Sequence, residues 1–269
     1  MNLKYNYHTH TYRCGHAFGK DYEFVEKAIE SGFKILGFSD HVMLKGHPQP
    51  GVRGKYSQLN GYLRSINKLK KRYADKIEIH LGLECEYLPS QMKYYNKLLE
   101  SNKVEYLILG QHCYINKNNK FQSYFDMNHK YEGIELYIRD LIKGMSTGIF
   151  SYVAHPDLFV HMLDKGDPYL EKYSKMICDA SIKYDVPLEM NLGDLRGYSA
   201  KSTKLFYPNP VFWRVAAETG VKTVIGVDAH DPKDFHSSNY NFVFDLINRY
   251  QINYVEDYKI NGKKKEQIK

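Results

Sequence analysis

This chain of 269 residues has no long apolar run, few cysteines and no repeats, and each of these features excludes a class of protein. No apolar run approaches the roughly 20 residues needed to span a membrane, and the N-terminus lacks the apolar stretch of a secretory signal, so we expect a cytoplasmic protein without a membrane partner. The four cysteines are too few for a disulfide scaffold and too irregularly spaced for a zinc ribbon. No repeat or low-complexity linker divides the chain, so we expect one domain over residues 1–269.

The charge balance is a weak guide to partners. Lysine and arginine total 38 against 31 acidic residues, a formal charge of +7, which suits an acidic substrate or nucleic acid. Much of the excess lies in residues 68–72 and 263–265, which are more simply a solvated helix face and a frayed chain end. Nucleic acid is therefore not the partner that we expect, and the sequence does not fix the oligomeric state.

The apolar runs that predict strands share one property, which is that each run stops at a histidine or a carboxylate. The residues at these ends are Ser39-Asp40-His41, Glu84, Gln111-His112, His155-Pro156-Asp157 and Asp228. Strands ending near residues 10, 41, 84, 112, 155, 191 and 230 make about seven βα units, one fewer than the common eightfold barrel. We therefore expect an α/β fold: a distorted, incomplete TIM-like (β/α)7 barrel with its site at the C-terminal ends of the strands.

Helical signals between these runs agree with that topology. Five helices are predicted. The first begins at Asp21 and ends near Gly32, and the last begins at Asn209-Pro210 and ends at Gly220. The other three cover residues 59–73, 129–146 and 168–184. Two long segments without such a pattern, 43–57 and 194–208, are expected to be loops on the side of the site.

Two alternating pairs at opposite ends of the chain indicate a metal site. They are His8-Thr9-His10 and Asp228-Ala229-His230. Side chains at i and i+2 of a strand point to the same face, so each pair directs two donor groups to one place. Because the two pairs lie more than two hundred residues apart, the site is expected to draw on the whole fold.

The full succession of these motifs resembles a known family. The motifs are His8-Thr9-His10, His16, Ser39-Asp40-His41, Gly82-Leu83-Glu84, Gly110-Gln111-His112, Ala154-His155-Pro156 and Gly226-Val227-Asp228-Ala229-His230. Their order is similar to that of the polymerase and histidinol phosphatase (PHP) superfamily of metal-dependent phosphoesterases. The segment Arg13-Cys14-Gly15-His16 and the stretch 188–191 followed by Arg196 are most similar to the monofunctional histidinol-phosphate phosphatases. The resemblance implies a distorted seven-stranded barrel, in agreement with the strand count.

The resemblance also implies three metal sites. His8, His10, Glu84 and Asp228 would hold the first metal, and Glu84 would bridge to a second that also takes His112 and His155. His16, His41 and His230 would hold the third. Seven imidazoles and two carboxylates suit Zn, Mn or Fe better than Mg or Ca, and the sequence does not choose among the three.

The chemistry implied is hydrolysis of a small phosphate monoester. The charges of three divalent ions and two carboxylates sum to about +4, and this local charge attracts a phosphate dianion. A metal-bridging hydroxide would attack phosphorus directly, Arg196 would help neutralise the phosphoryl oxygens, and Asp228 or an imidazole such as His230 would protonate the leaving alkoxide.

Further substrate contacts are predicted from position alone. Ser199 is a second candidate for the phosphate, and Glu86, Asp157 and Asp194 are candidates for a substrate ammonium. Glu86, Asp40 and Asp157 could instead orient ligand imidazoles, or be ordinary polar residues at the boundary of the core.

Three functions remain open at this stage. The first is hydrolysis of L-histidinol phosphate in histidine biosynthesis, which needs a small enclosed pocket. The second is a PHP-type nuclease, nucleotide phosphoesterase or protein-tyrosine phosphatase, which would need an open basic groove or access for a flexible tail. The third, a degenerate barrel without activity, is disfavoured because every ligand position of the family pattern is present.

Overall fold

A computed structural model describes residues 3–127, 129–197, 205–236 and 239–260. Its strands are β1 Tyr5–Asn6, β2 Ile35–Phe38, β3 Glu78–Cys85, β4 Tyr106–Leu109, β5 Cys113–Ile115, β6 Phe121–Ser123, β7 Leu188–Asn191 and β8 Thr223–Gly226. Its α-helices are α1 Asp21–Glu30, α2 Leu59–Arg72, α3 Met92–Glu100, α4 Lys130–Ser146, α5 Leu170–Tyr184, α6 Pro210–Thr219 and α7 Asn239–Tyr250. Ser199 and residues 263–265 lie outside the described residues.

The parallel strands form a ring of seven positions. β1, β2, β3 and β4 pair in that order, and β7 pairs with β8. A single residue, Val153, connects the two sheets through parallel bridges to Leu109 and Leu188. A parallel bridge between Thr9 and Ala229 joins the last position to the first. The prediction of a distorted, incomplete seven-stranded barrel is therefore confirmed, and the distortion lies at the fifth position, which is only one bridge long.

The helices that the sequence predicts are present with small shifts at their ends. The Asn209 side chain accepts a hydrogen bond from the backbone N–H of Val211 at the start of α6, and Gly220 ends this helix with a left-handed backbone. At α1 the capping position is Lys20, and Asp21 is the first helical residue. The Asp21 carboxylate instead accepts two hydrogen bonds of 2.9 Å from the buried Arg13 guanidinium. Within the described ranges, no helix is long and apolar enough to cross a membrane.

Tyrosines fill the N-terminal end of the barrel. Tyr5, Tyr7, Tyr106 and Tyr152 are almost completely buried there. The chain returns beneath them after α7, where Tyr5 donates a hydrogen bond of 2.8 Å to the carbonyl of Val255. Aromatic side chains thus pack the N-terminal end of the barrel, and the candidate metal ligands lie at the opposite, C-terminal end.

Candidate metal centre

The nine predicted metal ligands converge at the C-terminal end of the ring. They are His8, His10, His16, His41, Glu84, His112, His155, Asp228 and His230, and five overlapping groups that could hold a metal ion draw on them, with Cys14 as one further member. Most of these side chains are buried, and His16 is exposed at the edge. Most of them follow strand ends in segments of a few residues, which the barrel brings together from distant parts of the sequence.

Glu84 lies at the centre of this cluster and presents one oxygen to each of two histidine groups. Its Oε1 is 3.0 Å from His155 Nε2 and 3.6 Å from His112 Nε2. Its Oε2 is 3.5 Å from His10 Nε2, 3.6 Å from His8 Nε2 and 2.9 Å from His41 Nδ1. A carboxylate divided in this way has the arrangement expected of a ligand shared by two metal ions.

Asp228 completes the group around His8 and His10. Its Oδ1 is 3.4 Å from His8 Nε2 and 3.2 Å from His10 Nε2. The backbone of Asp228 is left-handed, with a φ of 52°, and so is that of His155, with a φ of 31°. Non-glycine residues seldom adopt this conformation, and its occurrence at two candidate ligands is typical of a functional site.

The remaining histidines form a third group at the rim. His16, His41 and His230 bring one nitrogen each to within 4.8 Å of one another. The Nε2 atoms of His16 and His230 are 2.9 Å apart, and the His230 ring stacks on that of His10 with centroids 4.1 Å apart. The three groups are thus contiguous and share one centre.

Several buried polar atoms of this cluster have no hydrogen-bond partner among the described residues. They include Asp228 Oδ1, and also Glu84 Oε2 and His41 Nδ1, which lie 2.9 Å apart without forming a hydrogen bond. Buried polar groups are nearly always paired, because desolvation without a partner costs about 1 to 3 kcal/mol. Carboxylate oxygens and imidazole nitrogens are the donors that divalent transition metals bind, and groups of three such donors lie within 4.8 Å of one another here, so these residues fit such ions.

In the group His16, His41 and His230, and in the carboxylates, the electrostatics favour the protonation states that bind metal. Burial lowers the pKa of His41 to about 4 despite the pull of Glu84, and burial together with His10 lowers the pKa of His230 to about 2. Although burial alone would raise the pKa of Glu84, the neighbouring imidazoles, His41 and His112 foremost, hold it well below its usual range. Neutral imidazoles and ionised carboxylates are the metal-binding forms.

Carboxylates behind the ligands orient two of the imidazoles. His8 Nδ1 lies 3.0 and 3.1 Å from the two oxygens of Glu189, and His112 Nδ1 lies 3.3 Å from Glu86 Oε1. A proton on Nδ1 leaves Nε2 of each ring to bind metal. Glu189 is completely buried and was not among the predicted site residues, although its strand, Leu188–Asn191, ends in polar residues as the ligand-bearing strands do.

Arg53 is a second residue that the sequence did not single out. Its buried guanidinium donates hydrogen bonds to Glu86 Oε1 at 2.7 Å, to the Val42 carbonyl at 3.1 Å and to Gln49 Oε1 at 2.9 Å. It therefore connects the loop 43–57 to the carboxylate that orients His112. The Glu86 carboxylate is thus engaged with Arg53 and with His112.

Gly110 shows how closely the backbone packs around Glu84. A Cβ atom at this position would lie 1.9 Å from Glu84 Oε1 and 2.5 Å from its carboxyl carbon. Any side chain here would push the central carboxylate out of place.

The residues predicted to contact the substrate form hydrogen bonds with other parts of the protein. Arg196 donates hydrogen bonds of 2.9 and 2.8 Å to the carbonyls of Val227 and Asp228, so it holds the segment that carries the candidate ligand Asp228. Asp157 is buried beside α6, where it accepts hydrogen bonds from the backbone N–H of Asn209 and from Trp213 Nε1. Both side chains are therefore engaged within the protein.

A cavity of about 550 Å³ opens above the ligands. His10, His16, His41, Glu84, His112, His155, Asp228 and His230 form its floor. Its walls come from the loop 43–57, from β6 with the turn after it, and from Leu158 and Tyr207. Arg196, Asp157, Glu86 and Asp194 are not part of the lining, and Asp194 instead accepts hydrogen bonds from His161 and from the backbone of Tyr207.

Residues 6–192 match the family model of the PHP domain. This chain belongs to the PHP domain family. The matched region contains seven of the nine candidate ligands of this PHP protein, and the other two, Asp228 and His230, follow it in the chain. The resemblance inferred from the order of the motifs is therefore confirmed.

Relatives of this PHP protein carry phosphatase names. A Deinococcus radiodurans protein named probable histidinol-phosphatase is 29% identical over 232 residues, covering 84% of this chain and 85% of that protein. A Schizosaccharomyces pombe protein of the same name is 24% identical over 266 residues, covering 84% and 80% of the two chains.

A solved structure has the same fold as this PHP protein. It is the histidinol phosphate phosphatase of Lactococcus lactis in complex with zinc, L-histidinol and phosphate. The TM-score is 0.71 at 17% identity, and the alignment covers 97% of each chain. At this identity the likeness establishes the fold.

Proposed function

We propose that the chain is a metal-dependent phosphomonoesterase that hydrolyses L-histidinol phosphate to L-histidinol and phosphate, a step of histidine biosynthesis. The proposal rests mainly on the Glu84 carboxylate, whose two oxygens face different histidines at the floor of a cavity of about 550 Å³. The names of the relatives and the ligands of the Lactococcus lactis structure support histidinol phosphate as the substrate.

The proposed ligand sets are those that the resemblance to the family implies, and each set joins residues that lie close together in the structure. The first set is His8, His10, Glu84 and Asp228, the second is Glu84, His112 and His155, and the third is His16, His41 and His230. When bound, divalent ions such as Zn, Mn or Fe lower the pKa of water and neutralise phosphate charge. Seven of the nine donors are imidazoles, which favours transition metals over Mg or Ca.

The residues of the chain contribute position and proton transfer. In the reaction, an oxygen from water forms the new bond to phosphorus, and the bond to the ester oxygen of the alcohol breaks. The attacking water loses a proton and the departing alkoxide takes one up. We propose that Asp228 or His230 accepts the first proton and donates it to the alkoxide, because both line the cavity floor.

We propose two effects of Arg196 that an experiment can separate. Its hydrogen bonds hold the backbone of Asp228, and the sequence predicts that its guanidinium also contacts the phosphate. Ser199, the other predicted phosphate contact, lies outside the described residues and stays a prediction.

A comparison of substrates tests the proposal. Steady-state kinetics of metal-loaded protein should be measured with L-histidinol phosphate, p-nitrophenyl phosphate, a nucleoside monophosphate, a phosphotyrosine peptide and a short oligonucleotide. We expect kcat/KM for histidinol phosphate to exceed that for p-nitrophenyl phosphate by about a hundredfold or more, because contacts to the non-reacting part of a substrate position its phosphorus.

Other results would redirect the proposal. Preference for the nucleotide or the oligonucleotide would indicate a PHP-type nuclease or nucleotide phosphoesterase, and preference for the peptide a protein-tyrosine phosphatase. Either outcome would contradict the histidinol assignment while leaving the metal centre in place. Glu105→Gln is a suitable control variant, because Glu105 contacts Lys70 and His80 at the opposite end of the barrel.

A further inference from the structure

One wall of the cavity is built by a single short stretch of chain. β5 follows His112 directly, pairs with β6 in an antiparallel hairpin and leads into a turn at Tyr124–Asp126. Four residues of β6 and this turn line the cavity: Phe121, Ser123, Phe125 and Asp126. We call these four residues the hairpin wall. It combines two aromatic rings, a hydroxyl and a carboxylate, whereas the floor consists of metal ligands.

The hairpin wall is held from behind. Tyr124, which is fully buried, lies between Gln111, 2.6 Å from its hydroxyl, and Asp140, to which it donates a hydrogen bond of 2.9 Å. The Ser123 side chain accepts a hydrogen bond from the backbone N–H of Phe125. The Phe125 ring and the Asp126 carboxylate therefore project from an anchored turn.

Contacts with the loop 43–57 fix the Phe121 ring. The Arg53 guanidinium lies over it, 4.9 Å from the ring centroid, and the His47 ring meets it edge to face at 5.9 Å. Because Arg53 is itself bonded to Glu86, the hairpin wall and the metal ligand His112 are connected through two side chains. An aromatic surface is thereby kept at a fixed place relative to the metal centre.

Asp126 differs from the other acidic residues near the site. It is exposed, and among the described residues its carboxylate has no ion pair or hydrogen bond. Glu84 and Asp228 are the only other acidic residues in the described lining, and both face the histidines. Acidic groups near the cavity that lie outside its lining are engaged with partners: Glu86 with Arg53, Asp157 with Trp213 and Asp194 with His161.

We propose that Asp126 binds the ammonium group of the substrate and that Phe121 and Phe125 flank its ring. The inference deepens the proposed function and rests on it, since it concerns the non-reacting half of the same small phosphate monoester. A substrate with a phosphate dianion and an ammonium needs a cationic floor and a separate anion. A carboxylate on the wall supplies that anion without competing for the metals.

The decisive variant is Asp126→Asn, which removes the charge and keeps the shape. Steady-state kinetics should be measured with L-histidinol phosphate and with 3-(imidazol-4-yl)propyl phosphate, which lacks only the amine. We expect kcat/KM for the first to fall by about tenfold to a hundredfold, mainly through KM, because one charge-assisted contact is lost. For the second, we expect values close to those of the unmodified protein, with metal content unchanged. Asp126→Glu should retain part of the preference for the amine.

Glu132→Gln provides the matched control. Glu132 is an exposed carboxylate in the first turn of α4, outside the cavity lining, and its replacement changes the net charge by the same amount. The control should behave as the unmodified protein with both substrates.

Two outcomes would overturn the inference separately from the proposed function. If the unmodified protein hydrolyses histidinol phosphate efficiently but Asp126→Asn lowers both substrates equally, or lowers neither, Asp126 does not bind the ammonium. If the unmodified protein does not hydrolyse histidinol phosphate, the proposed function fails first, and this inference fails with it.

Discussion

The replacement of Glu84 by glutamine tests the metal centre most severely. The amide keeps the shape of the carboxylate, but it has one oxygen instead of two and carries no charge. Glu84 Oε1 faces His112 and His155, and Oε2 faces His8, His10 and His41. The change therefore removes an anionic ligand from two groups at once, whichever way the amide turns.

The size of the effect follows from the number of ligands. Structural zinc sites with four ligands bind with about 10 to 16 kcal/mol, so one ligand contributes on the order of 2.5 to 4 kcal/mol. Its loss weakens binding by about two to three orders of magnitude. The third group, His16, His41 and His230, meets Glu84 only through His41 and should be affected less.

Metal content measured by mass spectrometry is the assay. Protein dialysed against a buffer of fixed free Zn²⁺ should carry between two and three ions per chain, and Glu84→Gln about one. Circular dichroism should show both proteins folded. A Glu84→Gln protein with the metal content of the unmodified chain would refute the bridging role, and Glu105→Gln should match the unmodified chain throughout.

Three other changes probe the surroundings of the ligands. Glu189→Gln should weaken metal binding by about tenfold to a hundredfold, because it leaves His8 poorly oriented; unchanged affinity in equilibrium dialysis would count against this role. Gly110→Ala should lower metal content as Glu84→Gln does, since a Cβ would overlap the Glu84 carboxylate, and a fully metal-loaded variant would show that the backbone yields there. Arg196→Ala should lower kcat/KM by about a hundredfold or more. If metal is lost as well, the main role of Arg196 is to hold the Asp228 backbone rather than to contact the phosphate. Unchanged kinetics would exclude both roles.

The sequence predicts which side chains meet at the C-terminal ends of the strands, because these residues obey a local rule. A buried run that stops at a histidine or carboxylate is visible without knowledge of the fold, and parallel strands bring their C-terminal ends together. The pairing of His10 with Asp228 across the barrel thus follows from strand direction alone. The fifth strand was counted correctly, but its reduction to the single bridge at Val153 has no local signal.

The residues behind the ligands are harder to predict. Glu189 reaches His8 from a position 181 residues away, and the pairing depends on the register and closure of the barrel. Arg53 lies in the loop 43–57, whose conformation follows no periodic pattern. Asp157 lies two residues after the candidate ligand His155, yet its carboxylate turns to Trp213, because packing against α6 decides the direction of that side chain.

Restoration of activity by metal tests the central claim most directly. Protein stripped of metal should be titrated with Zn²⁺ while phosphate release from L-histidinol phosphate is followed. We predict no release without metal, a rise with added metal, and saturation between two and three equivalents per chain. Full activity in excess chelator, or a loaded protein that releases no phosphate from this substrate, would contradict the account.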